Sequence, residues 1–174
     1  MDLLNTKPIG FMDIGARGGI HPLVEQFSEA VHVVGFEPDH EAFKELQRDL
    51  AESSDYARAD IEPVGIFHVA GDHTLFELSA STNSSLLQPN KTFTQRYSMT
   101  KWEEIGTSQI RTKTLDQVVF EDLATFDHMG EAIKIDTQGT EFEVLLGAQK
   151  TLTERTQFLT TEVSFCELYQ NQKL

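Results

Sequence analysis

The chain has 174 residues, the length of one domain, and a chain of that size buries roughly 70% of its extended surface on folding. Lys plus Arg number 14 against 28 Asp plus Glu, a net charge of −14, which opposes any partner held through phosphates and excludes nucleic acid and anionic membrane from the expected partners. Apolar residues at 39% with charged residues at 24% describe a folded, water-compatible chain, and no apolar run approaches the ~20 residues that span a bilayer.

The opening Met1-Asp2-Leu3-Leu4-Asn5 lacks the basic and apolar segments of a secretory signal, and the single cysteine, Cys166, cannot close an internal disulfide. A reducing, cytoplasmic setting is the expectation. No nucleophile signature surrounds Cys166, which reads as a packed thiol. Without a repeat, linker or low-complexity tract, residues 1–174 read as a single domain.

The pattern alternates strand and helix. Ile9–Ile14 is an apolar run ending at Gly15-Ala16-Arg17-Gly18-Gly19, and Leu23, Val24, Phe27 and Ala30 then fall on one helical face. Val31–Phe36 gives a second buried strand, stopped at Glu37-Pro38, and Asp39 is placed to cap a helix carrying Phe43, Leu46 and Leu50. Residues 64–70 read as a strand, and the Gly71-Asp72 turn leads through a hairpin into 74–78. Residues 79–85 are dense in Ser, Thr and Asn, which suits either a solvated loop or one over a site. A strand at 132–136 is followed by the Thr137-Gln138-Gly139 turn and by a capping box of Thr140 with Glu143, and 158–163 is the last strand.

Repeated βα units predict an α/β fold, a Rossmann-like, mostly parallel sheet with helices on both faces. Ligands of such sheets bind beyond the carboxyl ends of the strands. The glycine turn, Glu37, the Ala70-Gly71 turn and Asp136 are all expected at that edge.

A dinucleotide fingerprint starting at Gly15 would need glycine where Arg17 and Ile20 stand, and no GxxxxGK[ST] occurs. What remains is an acid before a glycine turn, with Glu37 placed after the second strand to accept hydrogen bonds from both ribose hydroxyls. That pair predicts a nucleoside-bearing ligand.

With these features the sequence resembles a class I S-adenosylmethionine-dependent methyltransferase and, more narrowly, the FkbM family. The landmarks are Asp13-Ile14-Gly15-Ala16, Gly35-Phe36-Glu37-Pro38, Ser84-Ser85-Leu86, Thr114-Leu115-Asp116, Lys134-Ile135-Asp136-Thr137-Gln138-Gly139-Thr140-Glu141, Leu146-Gly147-Ala148 and Glu162-Val163-Ser164-Phe165. The resemblance implies S-adenosyl-L-methionine as cofactor. Asp13 and the backbone at Gly15 and Ala16 would face its methionine part, with Arg17 and Gly18 in the same turn; Glu37, beside Pro38, would hold the ribose; Ala70 and Gly71 would flank adenine; Asp136 would lie near the sulfonium and the acceptor.

The implied reaction is transfer of a methyl group to a hydroxyl on a small molecule or sugar, with Asp136 as catalytic proton acceptor and His68 and His73 as outsiders. The acidity of the chain favours a neutral acceptor over a phosphorylated one. His21, His32, His40 and His128 show no ligand spacing, so no metal is expected. Trp102 and Tyr97 either stack on a sugar or pack.

Three departures stand out. Arg17 replaces the family's usual asparagine and would bind the cofactor carboxylate or a neighbouring acid. The family's DxEG reads Asp136-Thr137-Gln138-Gly139, with an amide for one carboxylate. Few residues follow Glu162 where the class adds a helix and an antiparallel strand pair, which implies a family member short at its C-terminus or completed by a partner, with an exposed sheet edge that favours homo-oligomers. The last two features also favour an alternative: a non-catalytic nucleoside-binding or interaction module that keeps the fold. A nicotinamide oxidoreductase is opposed by the glycine spacing.

Overall fold

The near-continuous burial of side chains along Ile9–Ile14 and Val31–Phe36 sets the architecture. In the computed structural model, which describes residues 7–53 and 55–174, these runs are parallel strands β1 and β2, paired with Phe11 opposite Val33 and Ile14 opposite Phe36. Strand β3 (Arg58–Glu62) lies outside β2, while β7 (Ala132–Ile135) and then β8 (Phe158–Thr161) extend the sheet on the other side of β1. The order β3-β2-β1-β7-β8 is parallel throughout.

Because side chains alternate along each strand, the sheet buries both faces. Met12, Ile14, Val34, Phe36, Ile133 and Ile135 meet Leu115, Val118, Val119, Met129, Val144 and Ala148 on one side. Phe11, Val31, Val33 and Ala132 meet Val24 on the other. Each fully buried side chain of this kind contributes about 1.5–3 kcal/mol, so both layers are needed to hold the sheet.

Helix α1 (His40–Ser53) follows β2 and begins as the sequence implies, with Asp39 Oδ1 accepting the Glu41 and Ala42 N–H groups at 3.1 and 2.9 Å. After the glycine turn, however, Pro22–Ala30 is a 3₁₀ segment kinked at Phe27, not the single amphipathic helix expected. Only Val24 of the proposed face is buried there, while Leu23 and Phe27 are exposed. The tight 3₁₀ winding brings residues three apart into line, so a four-residue spacing does not share a face.

The strand expected at 64–70 shrinks to β4 (Gly65–Ile66), and no hairpin joins it to β5 (Gly71–Leu78). Both instead pair with β6 (Glu104–Lys113), β4 in parallel and β5 antiparallel, forming a separate three-stranded sheet in the order β4-β6-β5. Strand β6 alternates in burial but through mostly polar side chains, and its two large apolar residues, Ile105 and Ile110, fall on opposite faces, which hid it. Within the polar stretch after β5 only Ser81–Asn83 is regular, as one 3₁₀ turn.

Two shorter helices, α2 (Lys91–Arg96) and α3 (Leu115–Gln117), are capped by the side chains of Asn90 and Thr114. Helices α4 (Glu141–Leu146) and α5 (Gln149–Glu154) connect β7 to β8. The capping box at Thr140 does not form; Thr140 Oγ1 donates to Thr137 Oγ1 at 3.0 Å, and Glu141 accepts the N–H groups of Thr137 and Gly139. Strand β8 ends the sheet among the described residues, with Phe158 and Leu159 exposed, consistent with the anticipated open edge. No described helix is long and apolar enough to cross a membrane.

Candidate functional site

Register assembles the site. Ile14 pairs with Phe36 on one side and Ile135 on the other, so the residues after three strand ends, Gly15, Glu37 and Asp136, reach one edge. The sheet order reverses there, between β1 and β7, and leaves a crevice. A cavity of about 220 Å³ opens in it. Gly15 and Arg17 form one side, Glu37 and Pro38 another, and Asp136, Thr137, Gln138 and Thr140 a third. Phe36, Gly65, Ile66, Leu75 and Ile110 supply an apolar wall, and Ser81, Thr82, Ser84, Ser85 and Leu86 a hydroxyl-rich rim.

The turn after β1 requires glycine at Gly15. Its φ is +83°, and a Cβ would stand 1.9 Å from the Asp136 carbonyl oxygen. Its N–H and that of Ala16 both donate to the Phe36 carbonyl, at 3.2 and 3.1 Å, so these two donors are spent inside the turn. Ala16 is buried and packs inward toward Gly35. Gly18 and Gly19 have open space where a side chain would lie.

Asp13, expected to face the cofactor, instead lies beneath the turn, fully buried and outside the cavity lining. Its Oδ2 accepts the His21 N–H at 2.7 Å. Lys134 Nζ stands 3.0 Å from Oδ1 but directs its hydrogen bond to the Gly15 carbonyl at 2.8 Å, leaving Oδ1 paired by charge without an aligned donor. Burial pushes the Asp13 carboxyl above its ordinary value, with Lys134 offsetting part of the rise. Asp13 therefore anchors the turn through its neighbours.

Glu37 does line the cavity and is 3% exposed. Its Oε1 accepts the Asp39 N–H at 2.8 Å and lies 3.5 Å from the Arg17 guanidinium, which also pairs with Asp39 at 3.1 Å. Arg17 thus binds neighbouring acids, one of its two expected roles. Burial raises the Glu37 carboxyl, opposed by the Asp39 N–H and by Arg17. For Asp39 burial acts upward too, but the Ala42 N–H and Arg17 outweigh it and hold that carboxyl below its usual range.

At the third corner, Asp136 N–H donates to the Ile14 carbonyl at 3.0 Å. Gln138, at φ +60°, turns its amide back so that Nε2 donates to Asp136 Oδ1 at 2.9 Å and to Glu162 Oε2 at 3.4 Å. Asp136, Glu141 and Glu162 bring one carboxylate oxygen each within 4.8 Å of one another. Burial and then the Asp136 charge raise the Glu162 carboxyl. Backbone N–H groups occupy Glu141, and the Gln138 amide occupies the gap between the other two.

Of the residues singled out in the sequence, Gly15, Arg17, Glu37, Pro38 and Asp136 meet around the cavity, whereas Asp13, Ala16 and Gly18 support or border it. Ala70 and Gly71 do not join them: they border a separate depression with Arg111, Lys113 and Asp122. That follows from the missing hairpin, since β4 ends at Ile66 and the chain bends away before β5. Gly65 and Ile66 stand in the expected place instead. His68 and His73 meet the Phe67 ring at tilted and edge-on angles and line no part of the cavity. Trp102 packs against Tyr169, with ring centroids 4.9 Å apart, and Tyr97 against Phe93. Sequence reasoning missed Leu75, Ile110 and Thr140 as lining residues; the rim was marked by the polar composition of 79–85, as one of two readings, and at Ser84-Ser85-Leu86 by resemblance to the family pattern.

A family model described as the methyltransferase FkbM domain matches residues 13–174. Among solved structures, the FkbM methyltransferase from Methylobacillus flagellatus KT superposes with a TM-score of 0.52 at 16% identity, covering 84% of this chain and 30% of that one. The likeness is one of fold, and the chain spans less than a third of that protein's length. No curated protein matches the sequence. The chain belongs to the FkbM methyltransferase domain family.

Proposed function

We propose that the chain is an S-adenosylmethionine-dependent O-methyltransferase acting on a hydroxyl of a small molecule or sugar. The single observation that carries this reading is the meeting of Gly15, Glu37 and Asp136 around one cavity at the switch point of a parallel sheet.

The residues present fit the cofactor. Glu37 has one oxygen engaged by Asp39 N–H and Arg17, so its other oxygen remains to accept from ribose hydroxyls. Pro38, Gly65, Ile66 and Ile110 offer an apolar slot suited to adenine, in place of the Ala70 and Gly71 edge. The open space beside Gly18 and Gly19 leaves room for the amino-acid end. When bound, S-adenosylmethionine supplies an activated methyl group on a sulfonium. Asp136 lines the same cavity and is the chain's candidate to accept the acceptor's proton, a role open to a carboxylate within hydrogen-bond reach. Ser81, Thr82, Ser84 and Ser85 present hydroxyl partners to a polar acceptor, and the apolar wall excludes water from the rest.

The test is calorimetric titration with S-adenosylmethionine and S-adenosylhomocysteine for the wild type, Glu37→Ala and Asp136→Asn. Loss of hydrogen bonds to a charged group predicts roughly 10–100-fold weaker cofactor binding for Glu37→Ala. Asp136→Asn is expected to keep affinity within about threefold while losing methyl transfer. A folded wild type that binds neither nucleoside rejects the assignment; binding without turnover on hydroxyl acceptors favours the non-catalytic module.

A further inference from the structure

Beyond β8 the chain does not leave the molecule but folds back against the rim of the cavity. Gln172 organises the return: its Oε1 accepts the Leu168 and Tyr169 N–H groups at 3.0 and 3.3 Å, and its Nε2 donates to Ser164 Oγ at 3.0 Å. The turn so formed seats on the end of the hydroxyl-rich loop, through Asn90 N–H to the Leu168 carbonyl and Gln170 N–H to the Gln88 carbonyl. Tyr169 is its fully buried centre.

The ring of Tyr169 rests on the turn after β7. A Cβ on Gly139 would stand 2.5 Å from the ring, so glycine is what allows the contact, and Gly139 has φ +97°. The hydroxyl of Tyr169 donates to the Asn83 carbonyl at 2.6 Å and lies 3.4 Å from Gln138 Oε1. The phenol is held well above its ordinary value by burial and then by the Glu141, Glu162 and Asp136 charges, so it remains a donor across the neutral range. Two carboxylates beside Nε2 permit one orientation of the Gln138 amide, since the flipped form would set its oxygen against Asp136 and Glu162; Oε1 then faces the Tyr169 hydroxyl, whose one proton is shared between the Asn83 carbonyl at 2.6 Å and Oε1 at 3.4 Å.

We propose that Tyr169 is a positioning residue for the transfer site: its hydroxyl ties the acceptor-side loop at Asn83 to the Gln138 amide, and that amide holds the Asp136 carboxylate. The role rests on the reading of Asp136 as the group at the transfer site. It also gives Gln138, the departure from the family's acid, a purpose: an amide donates where a carboxylate would add a third negative charge between Asp136 and Glu162.

Tyr169→Phe removes the hydroxyl and keeps the ring on Gly139 and Trp102, so packing alone predicts no change at Gln138. The readout is the side-chain amide signal of Gln138 by nitrogen-15 NMR, with its solvent exchange, alongside titration with S-adenosylhomocysteine. Tyr169→Phe is expected to move that signal toward free glutamine, to speed its exchange at least ~10-fold, and to leave S-adenosylhomocysteine affinity within about twofold. A folded Tyr169→Phe protein with an unmoved Gln138 signal overturns the proposal. Should the variant not fold, the wild type decides: a Gln138 amide exchanging as fast as free glutamine equally rejects it. Failure of the wild type to bind S-adenosylhomocysteine rejects the cofactor reading instead, and the amide readout still judges the tie between Tyr169 and Gln138.

Discussion

The two ends of the central sheet treat buried charge in opposite ways. At the amino end, His32 of β2 is sealed into a chain with its Nδ1 3.0 Å from His128 Nε2 and its Nε2 3.0 Å from Asp60 Oδ2. Arg58 pairs with Asp60 and lies over the ring of Phe126, which meets His32 edge-on. Both histidine ring nitrogens facing one another are satisfied from within the protein. At the carboxyl end, Glu37 and Asp136 each border a cavity with part of their hydrogen-bonding capacity directed elsewhere and part left over. Polar groups that close on one another stabilise or specify a fold, whereas polar groups converging on a void prepare it for a ligand. The difference separates a structural network from a site more sharply than burial does, since His32 and Glu37 are buried at 1% and 3% exposure.

Substitutions at the two ends can break that contrast. The largest effect is expected for Gly15→Ala, where a methyl would overlap the Asp136 carbonyl and the backbone is left-handed; a loss of about 5 kcal/mol or more is expected in urea unfolding. Gly10→Ala, which would overlap the His128 carbonyl at the other end, is expected to cost less because its backbone carries no such strain. Equal losses would remove the part assigned to the strained turn.

Lys134→Met strands Asp13 without its counter-charge, and breaking such a pair costs about 3–5 kcal/mol near neutral pH. The Asp13 carboxyl is already raised by burial and would rise further, so the folded variant takes up a proton at a higher pH than the unfolded chain. Its deficit is therefore expected to shrink as the pH falls, read as convergence of unfolding midpoints with the wild type; a deficit constant with pH rejects this account.

At the amino end the sign is reversed. Burial lowers the His32 value despite the opposing Asp60 hydrogen bond, so below the ordinary value of about 6.5 the unfolded chain gains a proton that the folded one resists. The stability due to neutral His32 is present above that pH and lost on acidification, by at most about 1.4 kcal/mol per pH unit. His32→Gln should flatten the decline between about pH 7 and 5 relative to wild type, without altering cofactor affinity. The smallest effect is expected for Ala70→Ser, outside the cavity: S-adenosylmethionine affinity within about twofold of wild type by calorimetry, whereas Ile66→Ser on the apolar wall should weaken it several-fold.

Much of the sheet was legible because strong local signals agreed. The bounds of β1 and β2 follow from mainly apolar runs closed by glycine or Glu-Pro, and Glu37 follows from its place after β2. The small sheet was not legible: β6 has no apolar alternation in its sequence, and its partner β5 follows a chain segment that resembles half of a hairpin. Misreading that segment put Ala70 and Gly71 at the cavity edge, where Gly65 and Ile66 stand. The capping box at Thr140 failed for a local reason too, because the Thr140 hydroxyl turns to Thr137 and Glu141, not Glu143, accepts the nearby backbone N–H groups.

By itself the amino-acid sequence determined the strand-turn-helix order, the parallel sheet and the acids that follow its strands, since periodicity, glycine turns and caps act over a few residues. Only the tertiary structure decided which of those acids meet. Asp13 and Glu37 carry the same charge and each follow or end a strand, yet strand register turns one beneath the glycine turn toward Lys134 and the other into the cavity. Tyr169, Asn83 and the turn that carries Asp136 and Gln138 lie far apart in the chain and become one hydrogen-bonded series through loop packing, because side-chain direction over such separations is set by what each element packs against.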